Sequence, residues 1–154
     1  MGNRQVVEQY ARALAENDLD AQVDLLHDDY VARFPQSGEV VRGRDNYRAI
    51  IEHYPTTDGR GLASTISRIV GTDDAFVSTL SLPTWSVVHL SGSGDDFTIT
   101  GLITYPNGET WHVAAVMTLL EGRIWRSVEY YGAPFDAPEW RAPFVELEAP
   151  AADG

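Results

Sequence analysis

The first apolar stripe along the chain is helical. Val6, Tyr10 and Leu14 recur at four-residue spacing within residues 3–16, which predicts an amphipathic helix with these side chains on one face. Asn17 and Asp18 interrupt it. A short second helix is predicted next, with Asp18 or Asp20 as cap and Val23, Leu25 and Leu26 as apolar positions. The segment DDYVARF (28–34) then has the character of a strand, and PQSGE turns the chain back toward VVRG. A third helix is predicted from near Asp45, carrying Tyr47, Ile50, Ile51 and Tyr54; Pro55 and the TTDGRG stretch end it.

From Gly61 onward the pattern is strand and turn. Strands are predicted near 62–70, 75–81, 85–91, 96–105, 110–120 and 123–131, separated by Asp73-Asp74, the SGSGDD loop, Pro106-Asn107-Gly108-Glu109 and Glu121-Gly122. Asn-Gly is the clearest turn signal, because it accepts the positive φ of a tight hairpin. Several strands are β-branched on both faces, as expected where both faces are covered. Residues 132–154 form a tail containing APFDAPEWRAPF, which is apolar enough to predict packing on the body or on a second subunit. There is no internal repeat and no linker, so residues 1–154 are read as one α+β domain: N-terminal helices packed on a long, strongly curved antiparallel sheet. A sheet bent around a helix leaves a cone, and its mouth is a natural ligand pocket.

Composition narrows the chemistry. The chain has 154 residues, enough for one sizeable core, with 44% apolar and 22% charged residues. It has no cysteine, which removes disulfides, thiol catalysis and thiolate metal sites. With 11 basic and 23 acidic residues the net charge is −12, which argues against nucleic acid or anionic membrane partners and is otherwise what keeps a protein soluble. No apolar run reaches the ~20 residues that span a bilayer, and MGNRQVVEQY has no apolar signal core. Gly2 is followed by Val6 where a myristoylation signal prefers Ser or Thr. A cytoplasmic location is the expectation.

The run QYARALAENDLDAQVDLLHDDYVARFPQSGEVVRGRDNYRAIIEHY resembles the opening of an NTF2-like, SnoaL-type domain, and GRIWRSVEYYGAPF resembles that superfamily's last strand. The resemblance implies an NTF2-like cone, a homodimer formed through the outer sheet face, and a scaffold that hosts isomerases, cyclases, epoxide hydrolases, dehydratases and non-catalytic binders. Residue by residue it is selective. Tyr10 falls where ketosteroid isomerases place a tyrosine that holds the substrate oxyanion. Their catalytic aspartate corresponds to Phe34, and their second oxyanion donor to Ala115, so enolisation by that mechanism is not expected. Glu129, before Tyr130-Tyr131, matches the last-strand aspartate of limonene-type epoxide hydrolases, but TITGLITY lacks their other charged pair. In SnoaL-type cyclases an acidic residue is the acid/base, a part that Glu129 matches.

Glu129 is the sharpest candidate on the residues as well. In RIWRSVEYYG a period of two puts Glu129 and Tyr131 on one face. Facing a pocket, the carboxyl would be desolvated and its pKa raised toward neutrality. Facing solvent it would be an ordinary surface carboxylate; paired with an arginine it would stay ionised, a poorer acid that could still orient water as a base. Arg33, in VARF, either turns inward with Glu129 as partner or faces solvent on an edge strand. Tyr10, Tyr47, Tyr54, Trp85, Trp111 and Tyr131 suffice to line a pocket for a flat ligand, or simply to fill a core or dimer interface. Trp111, Val113, Ala115 and Met117 share a strand face, and the small Ala115 leaves room there. His27, His53, His89 and His112 have neither metal-site nor triad spacing; Ser37 lacks a nucleophile context, and the glycines form no phosphate loop.

The reading is therefore a cofactor-free, metal-free enzyme acting on a small apolar or aromatic molecule by acid/base chemistry, of cyclase, isomerase, dehydratase or epoxide-opening type. Glu129, Tyr10 and Tyr131 are the catalytic candidates; Arg33, Phe34, Tyr47, Ile51, Tyr54, Trp85, Trp111 and Ala115 are the substrate-binding candidates. The alternative is a non-catalytic domain that binds a small ligand or a protein partner.

Overall fold

Alternating buried and exposed side chains mark the sheet that organises the molecule. The computed structural model describes residues 1–54, 84–105 and 108–148. The strands expected at 62–70 and 75–81, the Pro55 boundary and the Pro106-Asn107 dipeptide lie outside them. Helix α1 (Asn3–Ala15) buries Val6, Val7, Tyr10, Ala13 and Leu14, the stripe expected from their spacing. Asn17 takes a left-handed φ of 53° just beyond it, a conformation asparagine tolerates. Asp18 then caps α2 (Leu19–Asp24), its carboxylate accepting from the Ala21 N–H at 3.0 Å. Strands β1 (Leu26–Phe34) and β2 (Glu39–Arg42) form a hairpin, and α3 (Arg44–Glu52) follows. Strands β3 (Thr84–Ser93), β4 (Asp96–Thr104), β5 (Thr110–Leu120) and β6 (Arg123–Gly132) complete a sheet ordered β2-β1-β6-β5-β4-β3.

Two details differ from expectation. The curved sheet is mixed, because β1 pairs with β6 in parallel while every other pair is antiparallel. Joining the β1–β2 hairpin to the later meander closes this pair between segments about a hundred residues apart, where no turn dictates direction. The SGSGDD segment is mostly strand, since Gly92 pairs with Phe97 and Ser93 with Asp96, leaving a two-residue turn. Gly92 is required there: a Cβ on it would sit 2.3 Å from the Asp96 carbonyl oxygen.

Phe97, Ile99 and Ile103 of β4 and Val113, Ala115, Met117 and Leu119 of β5 point inward under α1. Register breaks within the β1–β6, β3–β4 and β5–β6 pairs are irregularities of the kind that bend a sheet around its helices. The side chain of Asn3 ties α1 to the β3–β4 turn through the Gly94 carbonyl at 3.0 Å and the Asp95 carboxylate at 2.8 Å. The tail leaves one of its two expected arrangements, packing on a second subunit. It forms a short 3-10 helix (Glu139–Phe144), but Phe135, Trp140 and Phe144 are 83%, 75% and 83% exposed, so its aromatics do not pack on the body. No helix among the described residues is long and apolar enough to cross a membrane.

Candidate active site

Helices α1, α2 and α3 close over the concave face of the sheet without filling it. The cavity that remains has a volume of about 220 Å³. Its helical walls carry Tyr10, Leu14, Leu19, Gln22, Tyr47 and Ile51, and its sheet walls carry Phe34, Val41, Trp85, Ile103, Glu129 and Tyr131. Half-buried Tyr54 and Tyr105 also line it.

Glu129 enters this space because β6 keeps a strict period of two over its last half. Ser127, Glu129 and Tyr131 face inward while Tyr130 faces out. Glu129 is 8% exposed, and no ion pair reaches it among the described residues. Burial raises its carboxyl from 4.5 to about 7, against the pull of the Tyr131 and then the Ser127 hydroxyl, which favour the charged form. The Tyr131 hydroxyl donates to Glu129 Oε1 at 3.1 Å. Tyr131 is held by its ring, which meets Phe34 and Trp85 edge-on with centroids 6.2 and 6.0 Å away. Its backbone is held by the Gln36 side chain, which both donates to the Tyr131 carbonyl and accepts from its N–H.

A second polar group lies under the helices. The Tyr10 and Tyr47 hydroxyls are 3.0 Å apart, Tyr47 donates to Gln22 Oε1 at 2.7 Å, and Gln22 Nε2 donates to the Ala13 carbonyl at 3.1 Å. Burial, helped by the negative charge of Glu129, holds the phenol protons of Tyr10, Tyr30 and Tyr131 well above their ordinary range. Tyr47 is raised by burial too. These are hydrogen-bonding phenols, not bases.

Glu129, Tyr10, Tyr131, Phe34, Tyr47, Ile51, Tyr54 and Trp85 thus converge on one cavity. Three candidates do not line it. Arg33 is exposed, because Ala32 and Phe34 take the inward positions of β1 and the pleat sends Arg33 out beside Val128; it is no partner for Glu129. Trp111 does not reach the cavity; its indole packs on Tyr105 at 5.3 Å and donates to Glu109 at 3.2 Å. Ala115 is buried directly opposite Glu129 in the β5–β6 register but forms no wall. None of the four histidines lines the cavity, and no group able to hold a metal occurs among the described residues.

Gln22, Gln36 and Ser127 are the site residues that sequence reasoning missed. Gln22 had a signal: it follows Leu19 by three positions, on the face that α2 buries, where a glutamine must find partners. Ser127 had one too, since the period of two that pairs Glu129 with Tyr131 places it on the same face of β6; Gln36 had none, because it meets Tyr131 from a segment 95 residues away.

The comparisons agree with this architecture. Residues 7–127 match the family model of the SnoaL-like domain. An NTF-2 like protein of unknown function from Burkholderia xenovorans is 26% identical, with a TM-score of 0.70 over 96% of this chain and 95% of that one. A candidate ketosteroid isomerase from Kribbella flavida is 18% identical, with a TM-score of 0.72 over 97% and 91% of the two chains. A candidate polyketide cyclase from Sinorhizobium meliloti is 16% identical, with a TM-score of 0.51 over 81% and 93%. Among curated proteins no match is found.

Proposed function

The chain belongs to the SnoaL-like family, and on that premise we propose that it is a cofactor-free enzyme in which Glu129 carries a proton to or from a compact apolar molecule. One observation carries this reading: a carboxyl buried in an apolar cavity, with no ion-pair partner among the described residues, whose pKa of about 7 makes both protonation states available at neutral pH. Tyr131 orients that carboxyl. Phe34 and Trp85 form the adjoining apolar wall, Ile51, Tyr47 and Tyr54 the helical side. Isomerisation, cyclisation, dehydration and epoxide opening all need such a proton carrier. Among structural neighbours, a candidate isomerase and a candidate cyclase share the fold.

A second reading is a non-catalytic small-ligand binder. It is favoured by Phe34 and Ala115, which stand where ketosteroid isomerases place a base and an oxyanion donor.

The two separate on a probe that needs only a desolvated base. In 5-nitrobenzisoxazole the Glu129 carboxylate would take the C3 proton, the C–H pair would form the nitrile, and the N–O bond would break to give a coloured phenolate. The expected result is a kcat/KM well above the rate constant of free acetate, lost in Glu129→Gln with probe affinity kept. A rate no better than acetate, or one that survives Glu129→Gln, leaves the binding reading.

A further inference from the structure

We infer that Gln22 fixes the proton direction of the Tyr10–Tyr47 pair, so that this end of the cavity accepts hydrogen bonds and selects molecules presenting an O–H or N–H. The inference rests on the cavity being the ligand site, as proposed above.

The direction follows from two groups that cannot reverse. The Ala13 carbonyl only accepts, so the atom of Gln22 facing it at 3.1 Å must be the amide nitrogen. Gln22 Oε1 is then the atom facing the Tyr47 hydroxyl at 2.7 Å, and since it too only accepts, Tyr47 donates. Tyr47 has one proton and has used it. In its 3.0 Å contact with Tyr10 its oxygen therefore accepts, and the Tyr10 proton is the one between them. Reversal would strand Gln22 Oε1, which belongs to a side chain only 4% exposed, without a donor.

Across the cavity the Tyr131 proton is already given to Glu129. The hydroxyl protons of Tyr10, Tyr47 and Tyr131 are thus all committed to protein acceptors, and all three residues line the cavity. What they offer a bound molecule is lone pairs. An ionised Glu129 adds another acceptor. A ketone or ester oxygen at the Gln22 end finds no proton among these three phenols, whereas a phenol, alcohol or azole finds a partner. The volume sets the size: a cavity of ~150 Å³ holds benzene, so about 220 Å³ admits one or two fused rings. The ligand class is a compact one- or two-ring molecule with a hydroxyl or N–H at the Gln22 end.

The test uses the full chain and two bicyclic probes of nearly equal size: indole, which only donates, and 1-indanone, which only accepts. Titration calorimetry at pH 8, with Glu129 ionised, should give indole a preference of about tenfold or more. Gln22→Met removes the acceptor that fixes Tyr47, and Tyr47→Phe frees the Tyr10 proton by a different route. Each should reduce the indole-to-indanone affinity ratio about tenfold or invert it, and the second variant serves if circular dichroism shows the first unfolded. An unchanged ratio in either folded variant, a wild-type preference for the ketone, or no binding of either probe overturns the inference. A wild type with Glu129-dependent turnover but no preference for indole overturns the inference alone. A kept ratio without turnover supports it and removes only the proposed chemistry.

Discussion

Tyr131 and Glu129 stand two residues apart on β6 and face the same cavity, where the phenol donates to the carboxylate at 3.1 Å. The bond does two things at once. It fixes the carboxyl's orientation, and it holds the group's pKa lower than burial alone would set it. Tyr131→Phe removes both effects while leaving the ring packed on Phe34 and Trp85. A charge-assisted hydrogen bond is worth about 1.5–3 kcal/mol, so the pH midpoint of turnover should move up by about one pH unit or more. Turnover at pH 7 should fall severalfold while the plateau at high pH is largely kept. A midpoint that stays in place would show that Tyr131 does not tune Glu129.

The pH–rate profile of wild type has a defined sign. Glu129 acts as base only when ionised, and its pKa is about 7. For a proton-abstraction probe, kcat/KM should therefore rise with pH through about 7 and level off above it. Glu129→Gln should lie at least about a hundredfold lower and be flat across this range. A profile with its midpoint near 4.5, the ordinary value, would mean that the carboxyl is solvated when it reacts.

Stability depends on the same group in the opposite sense. Below pH 4.5 the carboxyl is protonated in both the folded and unfolded chains; between 4.5 and 7 only the folded chain keeps the proton. Folding therefore loses free energy as pH rises across that window, by about 3 kcal/mol once pH exceeds 7. Glu129→Gln removes the penalty. Its gain in denaturant midpoint over wild type should be larger at pH 8 than at pH 5, and equal gains would contradict a raised pKa.

Asp18 caps the helix that carries Gln22. Asp18→Ala should cost about 1 kcal/mol of stability, measured by urea unfolding. Fraying of so short a helix should also loosen Gln22 and weaken ligand binding. Binding unchanged despite the stability loss would show that α2 is held by packing instead.

A homodimer through the outer sheet face remains the expectation for assembly. Val116 and Tyr130 are both 46% exposed on that face, apolar surface that association would cover. Light scattering should give twice the monomer mass at micromolar concentration, and Val116→Asp should shift it toward the monomer. A wild-type monomer would end the expectation.

Much of the fold was legible because its signals are local. Four-residue spacing marked α1, Asn17-Asp18 its end, and β-branched runs between turn signals marked β4, β5 and β6. Alternation also placed Glu129 and Tyr131 on one face, whereas the direction of Arg33, left open by the sequence, is outward in the structure.

What the sequence by itself determined is the order and type of these elements and which side chains share a face, because propensity and periodicity act over a few residues. Only the tertiary structure decided the rest. The parallel closure of β1 on β6 joins residues about a hundred positions apart, beyond any turn's reach. That Glu129 is buried, and that Gln22 meets both Ala13 and Tyr47, follow from how three helices settle on that sheet. Desolvation and hydrogen-bond direction are properties of an enclosed space, and the space exists only after the chain has closed around it.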